Sequence, residues 1–367
     1  MKGLFIWACS YCRSTLGFYN GLGDYLEKPL KIVVLEWLPE DRKNTGFESE
    51  EFDNLDIIMY PGLEKAKILL TQYNDYYHIF ASYSTRENVA LINDAILKGI
   101  RFGVGSEAPC NMFPPPKRFL KQIYMHTLLP LRVRPVVKNA DFILNYSGDN
   151  AAAMILNGWD EKKIIPCGYY PPALVGSKCV HRNRTHWKNF TIMLSGIHQW
   201  HRSPMMLLRA LHELDKRNIK YKCIITQKGP LFNSLLKYKE SYNLVNVNFH
   251  GFLPMQDLIR CYETCSVYVG AGNNEPWGMR LNDALQCGAP LVINRGMGGA
   301  KLVDDYKCGV NFDKNNYMML ADVLEKIITD YSFYQEIADN AFCAAQLVSP
   351  EKKAREIGKA LKEKYNL

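Results

Sequence analysis

Two acidic side chains, Glu275 and Asp283, are separated by seven residues in the most clearly patterned stretch of the sequence. An apolar run ends at Gly270, a polar loop carries Glu275, and a helical pattern then holds Asp283 and closes near Gly288, since glycine commonly follows a helix. The N-terminus of such a helix attracts negative charge, phosphate in particular. Each acid alone is typical of a solvated surface. The order strand, acidic loop, helix and second acid is much harder to obtain by chance and predicts a functional site.

The residue types and spacing in this stretch also follow a specific pattern. Residues 275–292 fit the pattern E-P-x-G-x-x-x-x-[ED]-A-x-x-x-G-x-P-[VL]-[VI], which resembles the donor-nucleotide signature of retaining GT-B glycosyltransferases of family 4. The resemblance implies that Asp283 hydrogen-bonds the ribose of a nucleoside-diphosphate sugar and that Glu275 lies near the transferred sugar and the diphosphate. Eight helical steps rise about 12 Å, the scale of that reach. The implied donor contacts in the loop are Pro276, Trp277 and Gly278.

A second segment, residues 195–210, resembles the part of the family in which an arginine and a lysine grip the diphosphate. Arg202 stands at the lysine position and is a candidate catalytic residue, whereas Ile197 replaces the arginine. A leaving diphosphate needs positive donors. Arg202 could instead be an ordinary exposed arginine at a helix start. The candidates to supply the missing charge are His198, His201 and Lys228.

The elements around these motifs are short apolar runs alternating with helical stretches, as in a parallel α/β sheet covered on both faces. The predicted strands are residues 3–8, 31–35, 56–60, 78–82, 101–105, 141–145, 163–166, 190–195, 221–226, 246–249, 266–270, 290–293 and 309–312. The alternation predicts an α/β protein with two Rossmann-like domains that face each other across a cleft, and the resemblance above implies GT-B architecture. The predicted ranges are 1–170 for the acceptor domain, 171–189 for a linker, 190–348 for the donor domain, and about 349–367 for a helix that packs back on the first domain.

Candidates in the first half come from predicted strand ends. A loop over residues 10–23 would let Gly17 bring backbone close to a phosphate or sugar, although such a glycine more often makes a turn. Glu107, in a loop after a strand, could contact the acceptor hydroxyl or be a plain loop acid. Residues 113–134 mix basic and aromatic side chains, as in a helix that lies on an anionic membrane or an amphipathic helix packed on the sheet.

Composition narrows the function classes. The 367 residues are 47% hydrophobic and 22% charged, which excludes a disordered chain, and the net charge of +8 is too mild to indicate a nucleic-acid binder. No apolar stretch reaches the about 18 residues of a membrane span. The eleven cysteines are scattered, with one lone C-x-x-C pair at Cys9 and Cys12, and neither metal-ligand spacing nor a cofactor motif is evident. We expect reduced thiols, a cytoplasmic protein and a first buried strand rather than a signal peptide.

The function that the resemblance implies is a metal-independent, retaining glycosyltransferase without a cofactor. It would move a sugar from a UDP-sugar or GDP-sugar to a hydroxyl of a glycan, lipid-linked or small-molecule acceptor. Two alternatives stay open: a non-catalytic nucleotide-sugar-binding subunit, which the loss of the arginine at position 197 permits, and a sugar-nucleotide epimerase of the same fold.

Overall fold

A computed structural model describes residues 2–36, 55–114, 116–313 and 315–367. Residues 37–54 of the predicted first domain, and residue 115 of the predicted basic helix, lie outside this range. The chain divides into two compact units. Unit 1 comprises Met1–Pro109, Phe119–Pro172 and Ser349–Leu367, and unit 2 comprises Cys110–Arg118 and Ala173–Val348. Residues 173–189, assigned above to a linker, therefore group with unit 2.

The described residues contain thirteen strands and fourteen α-helices. The strands are β1 (Leu4–Ala8), β2 (Leu30–Val34), β3 (Asp56–Met59), β4 (Tyr77–Phe80), β5 (Phe102–Ser106), β6 (Ile143–Asn145), β7 (Ile164–Pro166), β8 (Thr191–Leu194), β9 (Lys222–Thr226), β10 (Val247–Gly251), β11 (Val267–Gly270), β12 (Leu291–Asn294) and β13 (Gly309–Phe312). Each matches one predicted strand, with ends that differ by at most two residues.

The helices are α1 (Arg13–Leu26), α2 (Leu63–Gln72), α3 (Arg86–Leu97), α4 (Lys117–Asn139), α5 (Ala152–Leu156), α6 (Arg184–Lys188), α7 (Pro204–Lys216), α8 (Phe232–Ser241), α9 (Met255–Thr264), α10 (Met279–Gln286), α11 (Ala300–Tyr306), α12 (Tyr317–Thr329), α13 (Tyr331–Ala345) and α14 (Pro350–Tyr365). Two 3₁₀ turns, Glu161–Lys163 and Trp200–Arg202, supplement them. In the described part of the chain no helix is long and apolar enough to span a membrane.

Each unit is built on one all-parallel sheet. The strand order is β3-β2-β1-β4-β5-β6-β7 in unit 1 and β10-β9-β8-β11-β12-β13 in unit 2. Both orders run outward in one direction and then restart on the other side of the first strand, which is the doubly wound pattern. The prediction of two Rossmann-like parallel-sheet domains is confirmed.

Central strands such as β1 and β11 are apolar because both faces of each sheet are covered. In β1, Phe5 and Trp7 enter the core on one face of the sheet, while Leu4 and Ile6 enter the core on the other. In unit 2, the strands pack against α7, whose Leu207, Leu211 and Leu214 recur at helical spacing and form one apolar stripe.

Unit 1 differs from the sequence analysis at its first connection. The loop predicted over residues 10–23 is wrong from Arg13 onward, because α1 begins there. Gly17 lies within that helix, and a Cβ at this position would meet Pro350 at 3.3 Å. Its lack of a side chain thus allows α1 and α14 to approach closely, which is a packing role rather than the predicted contact with a donor.

The sequence Ser203-Pro204 at the start of α7 is typical of an N-cap followed by a first helical residue. Pro204 does occupy the first turn, but Ser203 has the left-handed value φ 45° and its side chain does not cap the helix. Its hydroxyl donates instead to the Trp200 carbonyl at 3.2 Å. Left-handed backbone is unfavourable for a serine, so the surrounding loop imposes this conformation.

Candidate functional site

The candidate site lies where the strand order of unit 2 reverses. Strands β8 and β11 are neighbours in the sheet although 72 residues separate their ends, Leu194 and Val267, in sequence. Their carboxyl ends lead into two loops, residues 195–203 and 271–278. In doubly wound sheets ligands bind outside the carboxyl ends of the strands at such a reversal. The topology thus brings together the two sequence segments predicted to act jointly.

One carboxylate joins these loops. Glu275 Oε2 lies 3.1 Å from His201 Nε2 and 3.3 Å from Arg202 Nε. The Glu275 side chain is 13% exposed and that of His201 is 10% exposed, whereas Arg202 is 32% exposed. The predicted catalytic pair of Glu275 and Arg202 is therefore in direct contact, with His201 as the third member.

The charges of this trio set the protonation of the acid. Burial by itself raises the pKa of Glu275, but the hydrogen bond from His201 and the positive charge of Arg202 outweigh it and hold the pKa below its ordinary value. The carboxylate is therefore ionised at neutral pH. A negative group at this position can accept hydrogen bonds from sugar hydroxyls and can orient the two basic side chains.

Backbone bonds fix the loops to each other. Asn273 N donates to the His201 carbonyl at 2.8 Å, and Gly298 N donates to the Glu275 carbonyl at 3.1 Å. The Asn294 side chain, at the end of β12, donates to Asn273 Oδ1 at 2.9 Å. The loops after β8, β11 and β12, which are neighbours in the sheet, therefore hold Glu275 in one place.

Two glycines are required by this close approach. A Cβ at Gly296 would clash with the backbone of Asn273, so only glycine fits between these loops. Gly278 has φ 97° and precedes α10, a conformation that side chains rarely adopt. It thus turns the chain from Glu275 into the helix, and its role is conformational.

The second predicted acid is recessed in α10. Asp283 Oδ2 accepts a bond from Arg280 Nη1 at 3.1 Å, and the Asp283 side chain is only 2% exposed against 14% for Arg280. Arg280 is therefore the more accessible member of the pair. Arg280 was not among the predicted site residues, although its spacing of three residues before Asp283 indicates a helical ion pair.

Several predicted donor contacts have buried side chains. His198 is 1% exposed, lies against the rings of Phe232 and Phe249, and places Nε2 3.1 Å from the Thr226 carbonyl. Burial lowers its pKa, so the ring is neutral and cannot supply the missing charge. Trp277 is equally buried and donates to Asn282 Oδ1 at 2.8 Å, which ties the loop to α10. Pro276 is also buried. These buried side chains therefore pack inside unit 2 and do not face solvent.

Lys228 remains accessible. It is exposed at the end of β9, next to β8 in the sheet, and its ammonium lies 5.1 Å from the Phe232 ring centroid. Its carbonyl accepts from His198 N at 3.3 Å, so the loops after β8 and β9 are joined there. The structure leaves it as a candidate cation beside the site.

In unit 1, Glu107 is exposed just after β5, and its Oε1 accepts a bond from the Tyr169 hydroxyl at 3.2 Å. The Tyr169 ring stacks on Tyr146, with centroids 5.0 Å apart. Tyr146 in turn shares a 2.5 Å bond with Tyr19. The acid is thus held by a row of tyrosines that sequence inspection missed, since they come from distant parts of the chain.

A buried arginine was hidden in the predicted linker. Arg182 is fully buried and donates to the carbonyls of Cys265 and Cys287 at 2.8 and 2.9 Å. These carbonyls close α9 and α10, where backbone acceptors otherwise lack partners. Arg182 therefore anchors the end of α10 opposite the site.

The described residues contain no group of three metal-ligating side chains. Burial raises the pKa of Cys9 to about 12, so the Cys9 thiol stays protonated and unreactive at neutral pH. All eleven cysteines are free.

Comparisons with known proteins agree with this geometry. Residues 182–342 match the family model described as Glycosyl transferases group 1. The chain is 29% identical over 109 residues to the serotype-specific mannosyltransferase WbdA of Escherichia coli, covering 29% of this chain and 13% of that protein. It is 24% identical over 215 residues to the D-inositol 3-phosphate glycosyltransferase of Corynebacterium jeikeium, covering 53% and 51%. The Anabaena Alr3699/HepE structure in complex with UDP and glucose covers 99% of this chain and 100% of its own, with a TM-score of 0.68 at 13% identity.

The two parallel sheets therefore define a protein of the GT-B glycosyltransferase fold. Residues 182–342, which lie within unit 2, match the Glycosyl transferases group 1 model, and the predicted resemblance to family 4 is confirmed. The alignments span 13% of the length of WbdA and about half of that of the Corynebacterium protein.

Proposed function

We propose that the chain is a retaining glycosyltransferase that uses a nucleoside-diphosphate sugar. The observation that carries this proposal is the Glu275, His201 and Arg202 contact at the strand-order reversal of the matched domain. The α10 N-terminus begins four residues after Glu275, so its free N–H groups add positive potential beside the acid. The names of similar proteins support a sugar donor, and UDP is bound in the HepE structure.

The proposed reaction breaks the bond from the anomeric carbon to the diphosphate oxygen and forms a bond to the acceptor oxygen on the same face. The acceptor proton passes to the departing phosphate, so configuration is retained without a second carboxylate nucleophile. Arg202, with Lys228 and the helix N-terminus, stabilises the negative charge that develops on the diphosphate. Glu275 contacts the sugar, and Asp283 acts on the ribose side. No metal and no cofactor besides the donor take part in this scheme.

Unit 1 is proposed to bind the acceptor, a glycan, lipid-linked or small-molecule hydroxyl compound. Glu107 is the candidate contact to the accepting hydroxyl, because it is exposed after β5 and its carboxylate is held by Tyr169. A held acid can orient a hydroxyl at a smaller entropy cost than a freely rotating one.

Release of free nucleoside diphosphate tests the proposed function. The chain is incubated with UDP-sugars and GDP-sugars, with and without a panel of glycan and lipid-linked acceptors. We expect release that depends on an acceptor, and a product whose anomeric configuration by NMR equals that of the donor. Donor binding without turnover would indicate the non-catalytic subunit, and acceptor-independent conversion of the sugar would indicate the epimerase.

Replacing Arg202 by Ala should weaken binding of the nucleoside diphosphate by about 1.5–3 kcal/mol, the contribution of a charged hydrogen bond, and binding of the nucleoside much less. Isothermal titration of both ligands measures the difference. Arg209→Ala, on the exposed side of α7, is the control and should bind as the parent chain does. Equal losses for both ligands would show that Arg202 does not contact phosphate.

The two acids should affect different kinetic constants. Glu275→Gln removes a charge that stabilises the transition state, so kcat should fall at least about 100-fold. Asp283→Asn weakens the proposed contact to the ribose, which is made equally in the ground state and the transition state, so it should mainly raise the KM for the donor. Steady-state kinetics of both variants measure this. The reverse pattern would contradict the placement of the donor along α10.

We also propose a cytoplasmic location with contact to an anionic membrane through residues 113–134. None of residues 117–128 of α4 is buried, and Phe119 and Leu120 are 70% and 67% exposed. The sequence carries no acidic residue between Glu107 and Asp141, whereas it carries six Lys and Arg residues there. Exposed apolar side chains beside unopposed positive charge match the chemistry of an anionic lipid surface.

Sedimentation with vesicles tests this contact. The chain should bind vesicles of phosphatidylglycerol more strongly than vesicles of phosphatidylcholine, and Phe119→Ser with Leu120→Ser should reduce binding at least about 10-fold, since each buried apolar side chain contributes about 1.5–3 kcal/mol. Ile68→Ser with Leu97→Ser is the matched control, because these residues are 65% and 83% exposed on other helices of unit 1. Unchanged binding by the α4 variant, or loss of self-association instead, would contradict a membrane partner.

A further inference from the structure

The site carries a charge deficit that the proposed function exposes. A nucleoside diphosphate brings two phosphate groups, yet Ile197 supplies no charge, His198 is neutral and buried, and His201 with Arg202 already faces Glu275. Of the predicted residues, this leaves Lys228 as the accessible cation for two phosphate groups. Phosphate groups in protein sites are held by positive donors, arginine in particular. A further cation near the loop after β8 would therefore complete the site.

Arg280 occupies an unusual position for a basic residue. It is the second residue of α10, in the first turn, where the helix dipole disfavours positive charge. Its partner Asp283 lies one turn further along the same helix face, since residues three apart are neighbours on a helix. A ligand whose ribose lies toward Asp283 and whose phosphates lie toward the helix N-terminus would pass Arg280.

The layering of this pair favours the arginine as the contacting group. Asp283 is 2% exposed and Arg280 is 14% exposed, with 3.1 Å between Nη1 and Oδ2. Asp283 is therefore the less accessible member of the pair, and its carboxylate fixes the orientation of the planar guanidinium.

Arg280 also lies close to the loop that should carry the missing charge. The Tyr268 hydroxyl donates to the Ser195 carbonyl at 2.9 Å and accepts from Ser195 N at 3.3 Å, so it marks the start of that loop. Burial raises the pKa of Tyr268, while Arg280 and, more weakly, Arg202 act to lower it. Both positive charges thus act on this hydroxyl, which is bonded to the first residue of the loop that contains Ile197.

We propose that Arg280 is a second phosphate-binding cation of the site, positioned by Asp283, and that it replaces the arginine absent at position 197. The proposal rests on the proposed function. Arg280 would donate to a phosphate oxygen of the donor and of the departing diphosphate, together with Arg202. Asp283 would then hold Arg280 in place as a positioning residue, in addition to its proposed action on the ribose side.

Binding of uridine, UMP and UDP, or of the guanosine series if that binds, tests the proposal by titration calorimetry at low salt. Arg280→Met should weaken diphosphate binding roughly 10- to 100-fold, the fold-change of a lost charged hydrogen bond, and nucleoside binding less than twofold. Arg280→Lys should restore part of the affinity, since it keeps the charge. Arg260→Met is the matched control, because Arg260 pairs with Asp257 at the same spacing on exposed α9.

Arg280→Met leaves Asp283 buried without its partner, which can destabilise unit 2. The double variant Arg280→Met with Asp283→Asn removes both charges, and the melting temperature and circular dichroism of each variant report folding. Equal losses for uridine and UDP, or unchanged UDP affinity in a folded variant, would overturn the assignment of Arg280. A parent chain that binds neither UDP nor GDP would overturn the proposed function itself, and the role of Arg280 with it.

Discussion

A carboxylate that is largely removed from water requires positive charge beside it, and the site of unit 2 is organised around this requirement at Glu275. His201 and Arg202 meet the requirement from a different loop, at 3.1 and 3.3 Å. The contact is possible because β8 and β11 are adjacent in the sheet at the reversal of strand order. Removing His201 and Arg202 would leave the Glu275 carboxylate largely buried without these two hydrogen-bond donors, and removing Glu275 would take away the acceptor that His201 and Arg202 share, so the two loops depend on each other.

The rest of unit 2 keeps this contact in place. Asn294 joins the loop after β11 to the end of β12, and Gly296 allows the backbones to approach. Trp277 ties the loop to α10 through Asn282, and Arg182 anchors the far end of α10 by its last carbonyls. These buried polar side chains therefore fix the position of the more accessible residues at Glu275.

The sequence predicted the elements and the loops of the site well, because both follow from local patterns. Apolar runs of strand length identified all thirteen described strands, and the order of acid, proline and glycine located Glu275. Side-chain burial could not be predicted in the same way. His198 and Trp277 were expected to contact ligand, but packing against Phe232 and bonding to Asn282 turn them inward. Arg182 is the opposite case, because it was predicted to lie in a linker and is buried. The Cys265 and Cys287 carbonyls, to which it donates, lie more than 80 residues away in sequence.

Hydrogen–deuterium exchange of the whole chain, with and without UDP or GDP, tests most directly that the Glu275 loops form a nucleotide site. A bound ligand stabilises the segments it contacts and slows their exchange. The account predicts slower exchange in residues 195–203 and 271–281, with the exposed residues of α12 unchanged as an internal reference. Protection confined to unit 1, or no protection by either nucleotide at saturating concentration, would contradict it.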